Sequence, residues 1–228
     1  MIAAIIQARM GSSRLPGKIL KPILGRPMLE LQIERVMRAS RIDRLTIATS
    51  TDPSDDLVEQ FCSERDLSCF RGSLEDVLDR YYQAVMAIGA NQIVRLTGDC
   101  PLSDPELIDE VIDHHLKGQY DYTSNVLELT YPDGLDVEVF SAQALEIAWN
   151  EAELPSQREH VTFYFIQNPG CFDLGSVRGV KDLSDFRWTV DYEEDFKLVS
   201  EIYQALYAGT PEFRMQDVIQ FLRHNPSI

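Results

Sequence analysis

The residues best equipped for chemistry lie early in the chain, in the run Gln7-Ala8-Arg9-Met10-Gly11-Ser12-Ser13-Arg14-Leu15-Pro16-Gly17-Lys18. Gly11, Ser12 and Ser13 allow a tight loop whose amides face phosphate oxygens. Arg14 brings a planar fork of donors and Lys18 a compact point charge, a combination suited to gripping a triphosphate. Arg9 adds a further cation at the start of the loop. The order G-x-x-x-x-G-K-[ST] of a Walker loop is absent, and so is G-x-G-x-x-G. A basic turn solvated at the surface is the plainer alternative.

Two carboxylates have matching surroundings. Asp99 lies in Thr97-Gly98-Asp99-Cys100-Pro101-Leu102, and Asp191 in Arg187-Trp188-Thr189-Val190-Asp191-Tyr192-Glu193-Glu194-Asp195. Each follows an expected strand and precedes an expected helix. Mg²⁺ takes one or two protein carboxylates and shares phosphate oxygens, so this pair could meet across one magnesium site. Each also has a simpler role, Asp99 as a turn cap and Asp191 as a helix N-cap.

These groups need a scaffold that brings distant loops to one edge. Apolar runs alternate with amphipathic stretches in the first half of the chain. Strands are predicted at 2–6, 44–50, 67–70 and 92–96, and helices at 27–39, from 52 to about 65, at 74–88 and at 104–116. Successive strand–helix units imply a parallel sheet with helices on both faces, with ligands at the carboxyl ends of the strands. After residue 119 the pattern changes. The stretch 120–140 is strand-like around a Pro132-Asp133-Gly134 turn, and Ser141 caps a helix to about 149. A helix is expected at 159–167, strands at 171–177 and 187–190, and closing helices at 193–207 and 215–223. A single domain, 1–228, with an inserted β-arm at 120–140, is the simplest organisation.

Composition narrows the partners. The 228 residues hold 21 basic and 37 acidic side chains, a net charge of −16. Such a surface argues against nucleic acid and anionic membrane as partners. Residues 1–29 nevertheless contain Arg9, Arg14, Lys18, Lys21 and Arg26 and no carboxylate. No apolar run approaches the roughly 18–20 residues of a membrane span. The four cysteines show neither CxxC pairing nor metal-ligand spacing, so reduced thiols and a cytoplasmic location are expected.

The phosphate-loop run, Gly98-Asp99-Cys100-Pro101-Leu102 and Thr189-Val190-Asp191 with Asp195 resemble the cytidylyltransferases, the CMP-sialate and CMP-Kdo synthetases, and among them the spore-coat-polysaccharide (SpsF-like) subgroup. The resemblance covers essentially the whole chain. It implies a three-layer α/β, GT-A-like nucleotide-diphospho-sugar transferase fold, a CTP donor, a sugar or sugar-acid acceptor, Mg²⁺ dependence and a homodimer built through the 120–140 arm. Carried over by motif, Arg14, Lys18 and Asp99 are the catalytic set. Ala8, Arg9, Gly11, Ser12 and Ser13 join them around the nucleotide, with Arg71 and Gly72 bordering the base. Asp99 and Asp191 bind the metal. Two further segments look like subgroup features that read sugar hydroxyls: Asp133, Asp136 and Glu138 in one, Glu159 and His160 in the other. The sialate-type and Kdo-type acceptor motifs are not evident, so the sugar stays open. The expected reaction is attack of a sugar hydroxyl on the α-phosphorus of CTP with loss of pyrophosphate. A glycosyltransferase using a finished nucleotide sugar, and a non-catalytic nucleotide sensor, are the competing readings.

Overall fold

The computed structural model describes residues 1–226. Its first strand, β1 (Ile2–Gln7), sends Ala3 and Ile5 into one apolar layer and Ala4 and Ile6 into another, all fully buried. A strand apolar on both faces has to run between two helical layers. A short hairpin, β2 (Pro22–Ile23) and β3 (Arg26–Pro27), leads into α1 (Met28–Val36). Then come β4 (Arg44–Ser50), α2 (Asp56–Ser63), β5 (Ser68–Gly72), α3 (Val77–Ile88), β6 (Gln92–Thr97) and α4 (Pro105–Gly118). The second half adds β7 (Tyr122–Ser124), β8 (Glu138–Ser141), α5 (Ala142–Glu151), α6 (Pro155–Glu159), α7 (Phe163–Gln167), β9 (Leu174–Ser176), α8 (Glu193–Leu206) and α9 (Met215–His224).

The main sheet has seven strands in the order β5-β4-β1-β6-β8-β7-β9. The four strands from β5 to β6 are parallel; β8 runs antiparallel to both β6 and β7, and β9 is parallel to β7. Helices α1, α2, α4, α8 and α9 cover the face bearing Ala4 and Ile6, while α3, α5 and α7 cover the face bearing Ala3 and Ile5. This is the expected three-layer α/β architecture. No helix among the described residues is long and apolar enough to cross a membrane.

Several expected elements differ in detail. The 120–140 segment is drawn into the main sheet as β7 and β8, because Tyr122, Val139 and Phe140 have no exposed surface and need both layers to cover them. The helix expected from 74 starts later, at Val77, where Asp76 accepts from the Asp79 amide at 2.9 Å; Ser73 instead receives the Asp76 amide at 3.0 Å. The helix expected at 159–167 is confined to α7, since α6 ends at Glu159 and residues 160–162 are not helical. The 187–190 strand is reduced to one bridge, Asp133 to Arg187.

Candidate nucleotide and metal site

Gln7 and Thr97 end β1 and β6 in direct register, so the loops that follow leave the sheet side by side. The Gly98 amide donates to the Gln7 carbonyl at 2.8 Å. A Cβ on Gly98 would stand 3.1 Å from both the Ala8 Cβ and the Gln7 carbonyl oxygen, so glycine is what seats the Asp99 turn against the basic loop. That loop is closed by its own backbone: the Ser12 and Gly17 amides both donate to the Met10 carbonyl, at 2.9 and 3.0 Å. Buried Asp55 anchors it from β4's side, accepting from the Met10 amide at 2.7 Å and from the Ser50 amide at 3.2 Å.

Between the loops lies a cleft of about 460 Å³. Ala8, Arg9, Gly11, Ser12, Ser13, Arg14 and Lys18 line one side, and Asp99 and Asp191 the other. Lys18 is the centre of the arrangement. Its buried ammonium donates to the Val190 carbonyl at 2.7 Å, to Asp191 Oδ1 at 3.1 Å and to Asp99 Oδ2 at 3.2 Å. Arg14, half exposed, adds a 2.7 Å ion pair to Asp191 Oδ1. The Val190 amide donates to the Asp99 carbonyl at 2.8 Å, which joins the two aspartate segments directly. Burial pushes the Asp99 carboxyl upward, but the Lys18 charge and the Thr97 hydroxyl outweigh it and hold the group below the usual carboxylate range.

The two aspartates expected at the metal are therefore brought to one point, and a cation already sits between them. Their oxygens are hard donors of the kind Mg²⁺ prefers. Among the described residues no group of three or more His, Cys, Asp or Glu side chains forms a closed metal cage. A pair of carboxylates completed by phosphate oxygens and water fits Mg²⁺, which usually keeps several non-protein ligands.

Other expected site residues fall elsewhere. The Arg71 guanidinium is engaged with its own surroundings: it donates to the Ser50 and Asp52 carbonyls at 2.9 and 3.0 Å and pairs with Asp56 and Glu59 at 2.7 and 2.8 Å. Gly72 is packed against Arg80, where a Cβ would meet the Arg80 Cγ at 2.8 Å. A second cleft, about 690 Å³, adjoins the first and shares Arg9 and Gly11 with it; Leu74, Glu75, Asp76 and Glu159 form its far side. Glu159 thus lines the second cleft. His160 does not line either cleft; it is exposed, and its ring lies tilted against Phe163 with centroids 4.5 Å apart.

The 131–138 segment is split in its roles. Glu138 is buried, ion-paired to Arg95, and accepts from the Tyr122 hydroxyl at 2.7 Å. This internal pair takes both its oxygens, and the expected sugar contact for Glu138 gives way to it. Asp133 accepts from the Thr189 hydroxyl at 2.6 Å and from Arg187 at 3.3 Å. Asp136 has no ion pair among the described residues, and burial together with the Asp133 charge pushes its carboxyl up to about 6. The sequence reasoning missed Asp55, Arg95 and Arg187. Arg187 stood inside a quoted motif, four residues before Asp191, but a spacing of four carries meaning on a helix and this segment is not helical.

The cytidylyltransferase family model matches residues 3–209 of the chain. The chain belongs to the cytidylyltransferase family. It is 36% identical to the spore coat polysaccharide biosynthesis protein SpsF of Bacillus subtilis, over 99% of this chain and 95% of that one. It is 26% identical to the 8-amino-3,8-dideoxy-manno-octulosonate cytidylyltransferase of Shewanella frigidimarina, over 92% of this chain and 94% of that one. The solved structure of a cytidylyltransferase from Leptospira borgpetersenii superposes with a TM-score of 0.94 at 33% identity, covering 99% of this chain and 95% of the other. The matched span contains both the basic loop and the Gly98-Asp99 turn of this cytidylyltransferase.

Proposed function

We propose that this cytidylyltransferase transfers CMP from CTP to a hydroxyl of a sugar acid and releases pyrophosphate. The observation that carries the reading is the convergence of Lys18, Arg14, Asp99 and Asp191 at the mouth of the phosphate loop. The triphosphate would lie along Gly11–Ser13, where the Gly11 and Ser13 amides suit phosphate oxygens while the Ser12 amide closes the loop on the Met10 carbonyl. The base would occupy the adjoining cleft beside Arg9 and Leu74. The acceptor is assigned to the side bounded by the 131–138 loop, where Asp136 is the carboxylate left without a cation. The sugar-acid class is supported by the octulosonate named for the Shewanella relative, and a role in surface polysaccharide supply by the name of SpsF.

In-line displacement at the α-phosphorus asks little covalent work of the protein, so positioning and charge neutralisation dominate. Lys18 and Arg14 would move from the aspartates to the β- and γ-phosphates and stabilise the charge that grows on the leaving pyrophosphate. Asp99 and Asp191 would hold Mg²⁺. Bound there, the ion would supply Lewis-acid polarisation of the α-phosphate and lower the pKa of a nearby hydroxyl. The adjacent Cys100 has no place as a nucleophile, since burial and the neighbouring Asp99 charge push its thiol well up. A homodimer is part of the reading, supported by the exposed apolar side chains Leu154, just before α6, and Phe163 and Ile166 on α7. The cytoplasm is the proposed location, in keeping with four unpaired cysteines.

The test is pyrophosphate release from CTP across a panel of ulosonic and nonulosonic acids with Mg²⁺. Asp99→Asn should cut turnover by about a hundredfold or more, the scale expected when a group stabilising transition-state charge is removed. A glycosyltransferase would release a nucleoside diphosphate from a nucleotide sugar instead. Wild-type turnover in Asp99→Asn at saturating Mg²⁺ would sink the metal assignment.

A further inference from the structure

The two oxygens of Asp191 are held differently. Oδ1 takes Lys18 at 3.1 Å and Arg14 at 2.7 Å, both from the phosphate loop. Oδ2 takes Arg187 at 2.8 Å. An incoming triphosphate would draw the two loop cations off Oδ1. Arg187 is not free to follow. Its second amino group pairs with Asp195 Oδ1 at 2.6 Å, and its Nε with Asp133 Oδ2 at 3.3 Å.

Both of those carboxylates are themselves fixed. Asp195 Oδ2 accepts from the Asp191 and Tyr192 amides, each at 2.8 Å. Asp133 is locked to the segment carrying Arg187: its amide donates to the Phe186 carbonyl at 2.9 Å, its carbonyl accepts from the Trp188 amide at 2.7 Å, and its Oδ1 takes the Thr189 hydroxyl at 2.6 Å. The close approach depends on Gly134, at φ 100°, where a Cβ would stand 2.6 Å from the Thr189 nitrogen. The Asp133-Gly134 turn is thus a strut behind Asp191.

We propose that Arg187 is a positioning residue that ties back Oδ2 of Asp191, so that Oδ1 alone is offered to a divalent cation. This rests on the reading that Asp99 and Asp191 hold the metal. The consequence is selectivity. Mg²⁺ demands near-octahedral geometry with short bonds, whereas Ca²⁺ accepts bidentate carboxylates in flexible shells. Freeing Oδ2 lets Asp191 turn or chelate through both oxygens, which penalises the smaller ion.

The experiment titrates Mg²⁺ and Ca²⁺ calorimetrically into wild type, Arg187→Gln and Arg187→Lys, each saturated with a non-hydrolysable CTP analogue. Loss of a residue orienting a metal ligand weakens metal binding by about 10–100-fold. Arg187→Gln should lose Mg²⁺ affinity on that scale while its Ca²⁺ affinity falls less, and Arg187→Lys, which keeps the charge but not the fork, should fall between. The KM for CTP at saturating Mg²⁺ should stay near wild type, a split that general loosening of the fold would not produce. If Arg187→Gln does not fold, the Lys variant carries the comparison. Unchanged Mg²⁺ affinity and an unchanged Ca²⁺-to-Mg²⁺ ratio in a folded variant would overturn the inference alone. No divalent binding by the wild-type complex would overturn the metal reading beneath it.

Discussion

Replacing Lys18 with methionine removes the cation between Asp99 and Asp191 while keeping the length of the side chain. At contact distances of 3.2 and 3.1 Å, each attraction has a gross value of about 5 kcal/mol at an effective dielectric near 20. Desolvation cancels most of that, and losing one partner of a buried pair costs about 3–5 kcal/mol because the other charge is stranded. The Asp99 side chain is 27% exposed, so water can relieve part of the strandedness, and about 2 kcal/mol of destabilisation is expected. For a chain of this size that lowers the melting temperature by about 4–8 °C. The assay is thermal unfolding of wild type and Lys18→Met, in EDTA and in excess Mg²⁺. EDTA should expose the full deficit. Mg²⁺ should recover much of it in the variant and change the wild type little, because the vacated seat lies between two carboxylates. A variant melting with wild type in EDTA would refute the idea that Lys18 holds the two aspartates. A deficit that Mg²⁺ leaves untouched would refute their role as a shared cation seat.

Two further outcomes follow from the same structure. Burial holds the His115 imidazole down to about 4, with its ring nitrogens 3.0 Å from the Thr123 hydroxyl and 2.9 Å from the Gln92 side-chain oxygen. Between about 6.5, the unfolded value, and 4 the unfolded chain carries a proton that the folded chain lacks, so stability falls as pH drops through that window. The loss is on the order of 2 kcal/mol after allowance for solvent screening, and urea titrations of His115→Gln against wild type should show this slope absent from the variant. Gly134→Ala forces a Cβ against the Thr189 backbone at positive φ, and should cost about 1–3 kcal/mol in urea unfolding; stability equal to wild type would mean the turn is looser than described.

How much was legible in advance varies with the range of the interaction. Burial of β1 on both faces followed from the run Ile-Ala-Ala-Ile-Ile, since a short β-branched stretch has few other places to go. Asp52 and Asp104 were readable as helix starts because a cap acts on amides two or three residues away, as the 2.8 Å Ser54 and 3.0 Å Glu106 contacts show. The basic loop was readable because its glycines, serines and cations are contiguous. The partners of Arg71 and Glu138 were not readable, for the opposite reason. Arg71 serves carbonyls 19 and 21 residues earlier, and Glu138 pairs with Arg95 across 43 residues, so nothing periodic marks either role.

The sequence by itself determined the strand–helix alternation, the basic glycine- and serine-rich loop and the two aspartate turns, because each depends on neighbours within a few residues. Only the tertiary structure decided what those pieces do to one another. The register of β1 with β6 sets Asp99 beside the loop, and the return of the chain after β9 delivers Val190 and Asp191 to Lys18 across 172 and 173 residues. Charge placed by long-range packing leaves no local pattern, and the tie from Arg187 to Asp133, Asp191 and Asp195 is visible only once the 131–138 loop has been folded against it.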